Sequence, residues 1–138
     1  MIPFRVAFEP GVAISEQIVY AAKKAVISGQ MRPGDPFPSV RLLSKVLKIN
    51  PNTAHKVITQ LVSEGLIEVR PGLGTVVAEL PASTAAERGA LLKIEVEQLV
   101  VEAKRLGLDL EEVTVAIARH WSRLEGAPPL AGSRRRKE

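Results

Sequence analysis

The segment over residues 50–65 constrains the fold of this chain more than any other part of the sequence. Asn50 is a residue type that caps helix N-termini, and Pro51 suits the first helical position because its missing N–H costs no hydrogen bond there. Gly65 suits the left-handed residue that commonly follows a helix. The sequence therefore predicts a helix here, with one apolar face at helical spacing made of Ala54, Val57, Ile58, Leu61 and Val62.

Further signals place two helices before this one. The apolar spacing predicts a first helix over about residues 14–28, with Ile14, Ile18, Ala22, Ala25 and Val26 on its apolar face. Residues 29–38 hold two Gly and three Pro and are expected to be loop. Ser39 is a good N-cap for a second, shorter helix, whose inner face is expected to be Val40, Leu43, Val46 and Leu47.

A hairpin is predicted after the third helix. Residues 66–70 and 75–78 are rich in strand formers, and the Pro-Gly-Leu-Gly segment between them is typical of turns. Only Lys48, Ile49 and Asn50 join helices two and three, which is the short link that a helix-turn-helix needs. The predicted fold is therefore mainly α with a small β-hairpin, in the element order of a winged helix-turn-helix.

The C-terminal part carries a different pattern, typical of two helices. Thr84 with Glu87 and Asp109 with Glu112 fit two helix starts, and Gly107 separates them. The two apolar stripes can pack within one chain, but two helices alone have little to pack against. We therefore expect them to form a homodimer interface, made of Leu92, Val96, Leu99, Ala103, Leu106, Val113, Ile117 and Trp121.

These signals divide the chain into four parts. An extended arm is predicted over residues 1–11, where Phe4, Val6 and Phe8 alternate with other residues. A winged helix-turn-helix domain is predicted over residues 12–79, with the helix-turn-helix at about 39–58 and the wing at about 66–78. A helical dimerisation region is predicted over residues 82–125. The basic tail, residues 126–138, is expected to be disordered and either adds non-specific DNA affinity or is inert.

Composition excludes several classes of function. Cysteine is absent, which removes disulfides, thiol catalysis and thiolate metal sites. His55 and His120 are the two histidines, and no catalytic or nucleotide-binding motif accompanies them, so no enzyme activity, metal site or cofactor is expected. No apolar run approaches the ~18–20 residues of a membrane span, and no signal peptide opens the chain. A cytoplasmic protein without a membrane partner is expected.

Charge is divided unevenly between the two halves. Residues 1–78 hold nine Lys and Arg against five Asp and Glu, whereas residues 79–126 hold six against nine. A basic first half admits a polyanionic partner. On the predicted third helix, the outward residues are Asn52, Lys56, Thr59 and Ser63, flanked by His55 and Gln60, with no carboxylate before Glu64. Amides, hydroxyls and lysine can meet base edges and phosphates, which carboxylates would repel, so this face predicts double-stranded DNA as the partner.

Six segments together resemble the GntR family of bacterial regulators. They are Ser-Glu-Gln-Ile at 15–18, Ser-Gly-Gln-Met-Arg-Pro-Gly-Asp at 28–35, Pro-Ser-Val-Arg at 38–41, Asn-Pro-Asn-Thr at 50–53, Glu-Gly-Leu-Ile at 64–67 and Arg-Pro-Gly-Leu-Gly-Thr at 70–75. The resemblance covers roughly residues 12–78 with its blocks in order. The short two-helix remainder is similar to the YtrA subfamily, whose C-terminal helices dimerise.

The resemblance implies roles for the positions that match. Arg41 corresponds to a DNA-contacting arginine at the start of helix two. Asn52, Thr53 and His55 fall where helix-three residues meet the major groove, and Gly72 falls at the wing tip near the minor groove. The chain departs from the family where other members carry arginines, at Pro51 and His55.

Each of these positions also has a plainer interpretation. Arg41 and His55 can be solvated surface residues, and Asn52 and Thr53 can simply favour the first helical turn. Three further basic residues, Lys45, Lys56 and Arg70, are expected to contact phosphates together with the helix N-termini.

The sequence therefore predicts a sequence-specific transcription regulator, a homodimeric repressor on a palindromic operator. The alternative is a winged-helix module that binds protein, which would require apolar or acidic residues on the helix-three face. Any small-molecule effector is expected between the winged domain and the helical pair or across the dimer seam, and it is either apolar or nucleotide-like. The other expectation is that there is no effector and that the amount of the protein alone controls transcription.

Overall fold

The structure, a computed structural model, describes residues 2–125. In chain order its first part contains α1 (Ile14–Ile27), α2 (Val40–Leu47), α3 (Pro51–Ser63), β1 (Ile67–Arg70) and β2 (Gly74–Val77). The order of three helices and an antiparallel hairpin confirms the predicted winged helix-turn-helix fold. Met1 and the predicted basic tail, residues 126–138, lie outside the described residues.

The predicted caps begin α2 and α3. The backbone N–H of Leu42 donates to Ser39 Oγ at 3.1 Å, and that of Asn52 donates to Asn50 Oδ1 at 2.7 Å. Lys48 directly follows α2 as its C-cap. It has φ 56° and ψ 50°, the left-handed conformation that favours glycine. Only Ile49 and Asn50 follow Lys48 before α3 begins, so the link between the two helices is as short as the sequence predicted.

The three helices and the hairpin share one hydrophobic core. Its largest fully buried side chains are Ile18, Met31, Leu43, Leu61, Ile67, Val57 and Val77. The predicted inner faces are wrong at three positions, because Ile14, Val46 and Val62 are exposed. Val46 and Val62 lie at the edges of their helical faces, and Ile14 is the first residue of α1.

The segment over residues 29–38 pairs with the wing. This pairing was not predicted, because the segment was expected to be loop. Pro36 forms an antiparallel bridge with Val76. The N–H of Phe37 donates to the Thr75 carbonyl and the N–H of Val77 donates to the Asp35 carbonyl, both at 2.8 Å. β2 therefore has partners on both sides. Proline and glycine signals identify turns, but such a non-local pairing leaves no local signature.

The N-terminal arm is packed against the helices. Phe4 is only 4% exposed and stacks on Phe37 with ring centroids 5.9 Å apart. The Gln17 side chain holds the far end of the arm, since its Oε1 accepts from the Glu9 N–H at 2.8 Å and its Nε2 donates to the Glu9 carbonyl at 2.9 Å. Phe4 thus belongs to the core, and Ile2 and Val6 pack against it.

The C-terminal part clusters into its own compact unit over residues 81–123. Its elements are α4 (Ala85–Ala90), a π-helical turn (Leu91–Glu95), α5 (Val96–Arg105) and α6 (Leu110–Arg123). Backbone angles stay helical from α4 through α5, so the predicted single helix exists but is interrupted by the π turn. Such turns arise from one extra residue in a helical repeat. Both predicted helix starts are confirmed by reciprocal hydrogen bonds, Thr84 with Glu87 and Asp109 with Glu112.

Candidate nucleic-acid interface

The helix-turn-helix carries only positive charge. Between Asp35 and Glu64 the sequence has no carboxylate and four cations, Arg41, Lys45, Lys48 and Lys56. All four side chains belong to exposed residues. None of them forms an ion pair within the part of the chain that the structure describes. The arrangement leaves these cations available for an anionic partner.

The residues of α3 that are predicted to contact DNA lie in its first turns. Asn52, His55 and Lys56 are exposed, whereas Thr53 is half-buried. The Thr59 hydroxyl lies 3.5 Å from His55 Nδ1, one helical turn away. The structure thus places three of these four side chains on accessible surface and leaves Thr53 at its edge.

The N-terminus of α3 offers fewer free donors than expected for a phosphate. Pro51 has no N–H, the N–H of Asn52 donates to the Asn50 side chain, and that of Ala54 donates to the Asn50 carbonyl at 3.1 Å. The Asn50 cap that starts the helix therefore uses a donor that the expected phosphate contact also needs. The start of α3 therefore offers side chains, more than backbone N–H groups, to an anion.

A groove of about 380 Å³ lies between α1 and α3, and Glu64, the first carboxylate after the helix-turn-helix, lines it. Lys23 Nζ lies 2.8 Å from Glu64 Oε1, and Gln60 Nε2 donates to Glu64 Oε2 at 2.6 Å. The hydrogen bonds from Lys23 and Gln60 lower the pKa of the Glu64 carboxyl below its ordinary value. Lys56 lines the same groove, so it is positioned at the α1 side of the α3 face.

The wing contains an ion pair that the sequence analysis did not identify. Arg70 Nε lies 2.6 Å from Glu68 Oε2, and both side chains are partly exposed. Residues two apart on a strand share a face, so this pair could have been found from the strand period alone. Gly72 lies in the turn with φ 81°, a left-handed conformation that glycine adopts without strain.

The predicted dimer residues lie mainly on exposed surface of the C-terminal unit. Leu92, Val96, Leu99, Leu106, Ile117 and Trp121 are exposed, and Trp121 reaches 73%. Ala103 is buried and Val113 half-buried, beside the turn between α5 and α6. The residues that the structure describes contain no cluster of three or more His, Asp or Glu that could hold a metal ion. None of the described helices combines the length and low charge of a membrane-spanning helix.

Comparison with known proteins agrees with this geometry. Residues 14–77 match the family model described as bacterial regulatory proteins, gntR family. The chain is 38% identical over 101 residues to the HTH-type transcriptional repressor YtrA of Bacillus subtilis (strain 168), covering 72% of this chain and 78% of that protein.

Two solved structures share the fold. A transcriptional antiterminator from Listeria monocytogenes EGD-e superposes with a TM-score of 0.78 at 23% identity, over 94% of this chain and 97% of that one. YtrA from Sulfolobus acidocaldarius, a GntR-family transcription factor, superposes with a TM-score of 0.50 at 25% identity, over 86% and 97%. The family match, the similarity to the YtrA repressor and the winged fold agree: this chain belongs to the gntR family of bacterial regulatory proteins.

Proposed function

We propose that this chain is a transcription repressor that binds a palindromic operator as a homodimer. The observation that supports DNA binding most strongly is the surface of the helix-turn-helix over residues 40–63, which carries four exposed cations and has no carboxylate. A duplex presents closely spaced phosphates beside base edges, and this face offers the matching cations, amide and imidazole. The name of the Bacillus subtilis relative supports repression as the direction of control.

Within this proposal the residues have distinct roles. Arg41, Lys45 and Lys56 contact phosphates at the sides of the major groove, and Asn52, Thr53 and His55 approach base edges. Gly72 brings the wing backbone close to the minor groove. Arg70 is also proposed to contact a phosphate, and its Nε is at the same time paired with Glu68 Oε2 at 2.6 Å.

Dimerisation is proposed to occur through the C-terminal unit. Its exposed apolar residues cover both helices and include Leu92, Leu99 and Trp121. Large exposed apolar surfaces commonly mark interaction sites, so these side chains support a protein partner for the unit. A second copy satisfies it with two-fold symmetry, and it would place two winged domains on two half-sites.

Footprinting on the promoter of the chain's own gene tests the proposal. We expect two protected half-sites about one helical turn apart, related by two-fold symmetry. Transcription from that promoter in vitro should fall as protein is added. Protection without symmetry, or none on that promoter or those of the neighbouring genes, would contradict the proposal and favour the protein-binding alternative.

Operator binding is proposed to need no metal ion. We expect equal affinity with and without a chelator, since the described residues offer no ligand cluster. Loss of binding with chelator that a divalent ion restores would contradict this. For an effector we propose an apolar or nucleotide-like molecule that binds across the dimer seam.

A further inference from the structure

Lys48 combines an unfavourable backbone conformation with an exposed charge. Among the residues that the structure describes, it is the only one other than glycine with a positive φ. The chain ends its neighbouring helices differently, because glycine takes the left-handed position after α1, where Gly29 has φ 83°, and after α3, where Gly65 has φ 78°. A Cβ is unfavourable in this region. The lysine after α2 therefore needs an explanation that glycine would not.

The turn explains the conformation of Lys48 but not its side chain. The backbone N–H groups of Lys48 and Ile49 both donate to the Ser44 carbonyl, the second at 3.1 Å, and they close the last turn of α2. Glycine would form the same bonds, because they come from the backbone. The Lys48 side chain is exposed and forms no ion pair within residues 2–125. It is therefore not needed to hold the turn.

The charge of Lys48 also has little to stabilise it in the free protein. The C-terminal end of a helix attracts a cation, but Lys45 already provides one in the last turn of α2. Like charges one turn apart repel each other, and the sequence has no carboxylate between Asp35 and Glu64. Backbone strain of this kind is typically kept where it serves a function. Strain and repulsion together therefore point to an anionic partner that stabilises the Lys48 ammonium.

We propose that Lys48 contacts a phosphate of the operator, and that the chain keeps a strained lysine here for this contact although glycine would make the fold more stable. The inference rests on the proposed function, in which the first turns of α3 enter the major groove. Lys48 precedes Asn50 by two residues, so their Cα atoms are at most about 7 Å apart. The major groove is about 12 Å wide, and phosphates border it on both sides. The four-carbon side chain of Lys48 thus extends from a point close to these phosphates.

The test compares the stability of Lys48→Gly with its affinity for the footprinted operator. Relief of the strain should raise the urea concentration at the midpoint of unfolding, whereas loss of the charge should weaken operator binding. The slope of log affinity against log salt should become shallower by about 0.9 per half-site, or about 1.8 per dimer, because each half-site loses one phosphate contact. A lysine that acted only on the end of α2 would leave this slope unchanged.

Three further variants separate charge from backbone effects. Lys48→Asn is neutral but keeps a side chain that tolerates the left-handed conformation, so its salt slope should be as shallow as that of Lys48→Gly. Lys48→Arg keeps the charge and should keep the wild-type slope. Lys24→Gln is the matched control, since Lys24 is also an exposed cation in the last turn of a helix, but of α1, outside the helix-turn-helix. Its slope should match the wild type.

Failure of this inference differs from failure of the proposed function. If Lys48→Gly or Lys48→Asn keeps the wild-type slope, or if Lys24→Gln loses as much slope as they do, the Lys48 contact is wrong although the protein still binds its operator. If Lys48→Gly is less stable than the wild type, the lysine is not kept against the stability of the fold. If the wild-type protein binds no operator, the proposed function itself is wrong.

Discussion

At the scale of single residues, Arg41 is the position on which DNA binding should depend most. It is exposed in the first turn of α2, within the stretch that has no carboxylate. We expect Arg41→Ala to weaken operator binding about 10- to 100-fold at about 0.1 M salt, because the dimer loses one phosphate contact in each half-site. Gel shifts at fixed salt measure this.

Arg88→Ala provides the control for that variant. Arg88 is also exposed on a helix, but it belongs to α4, and its guanidinium donates to the Ser83 carbonyl and hydroxyl. Its removal should leave operator affinity unchanged. Equal affinities of the Arg41→Ala variant and the wild type would remove Arg41 from the interface.

Lys48 is the residue at which local strain should be measurable. Its φ of 56° is unfavourable for a side chain with a Cβ, by about 1–2 kcal/mol relative to glycine. Glycine loses more conformational entropy on folding, so the expected net gain for Lys48→Gly is about 0.5 kcal/mol of unfolding free energy. Urea denaturation measures the gain, and Lys45→Gly within α2 should instead destabilise by about 1 kcal/mol. A destabilised Lys48→Gly variant would contradict this account of the turn.

The residues show where sequence reasoning succeeds. The caps at Ser39, Asn50 and Thr84 were predictable because a cap bonds backbone within three residues of itself. The Lys23–Glu64 ion pair was not predictable from the sequence, because it joins α1 to α3. No local pattern specifies which surface charges form a pair.

At the scale of elements, the N-terminal arm should stabilise the winged domain. Phe4 is almost completely buried, so Phe4→Ala should cost about 3 kcal/mol of unfolding free energy. Phe8→Ala is the matched control, since Phe8 is 43% exposed in the same arm, and it should cost under about 1 kcal/mol. Equal effects of the two substitutions would show that the arm does not pack as described.

Helices and strands were predictable from the sequence where residues close in sequence determine them. Helical periodicity and caps located α1, α2, α3 and α6 to within a residue or two. The pairing of Pro36 with Val76 and the π turn at Leu91–Glu95 escaped prediction. The first depends on residues 40 positions apart, and the second depends on a local backbone rearrangement that apolar spacing does not encode.

At the scale of the whole molecule, the C-terminal unit should determine the oligomeric state. We expect a fragment ending at Ala78 to be soluble and monomeric, with weak DNA binding, because it lacks the apolar helices. Light scattering measures this. Leu99→Glu in the full chain tests the same surface without truncation, since Leu99 is exposed and its replacement need not unfold the unit. A dimeric fragment, or a dimeric Leu99→Glu variant, would refute the interface.

The central claim is that a basic helix-turn-helix, doubled by dimerisation, binds DNA largely through phosphates. The most direct measurement is the affinity for the footprinted operator at several salt concentrations. With roughly 6–10 phosphate contacts per dimer, affinity should fall about 10³–10⁵-fold between 50 and 200 mM salt. An affinity that stays flat across this range would contradict the claim.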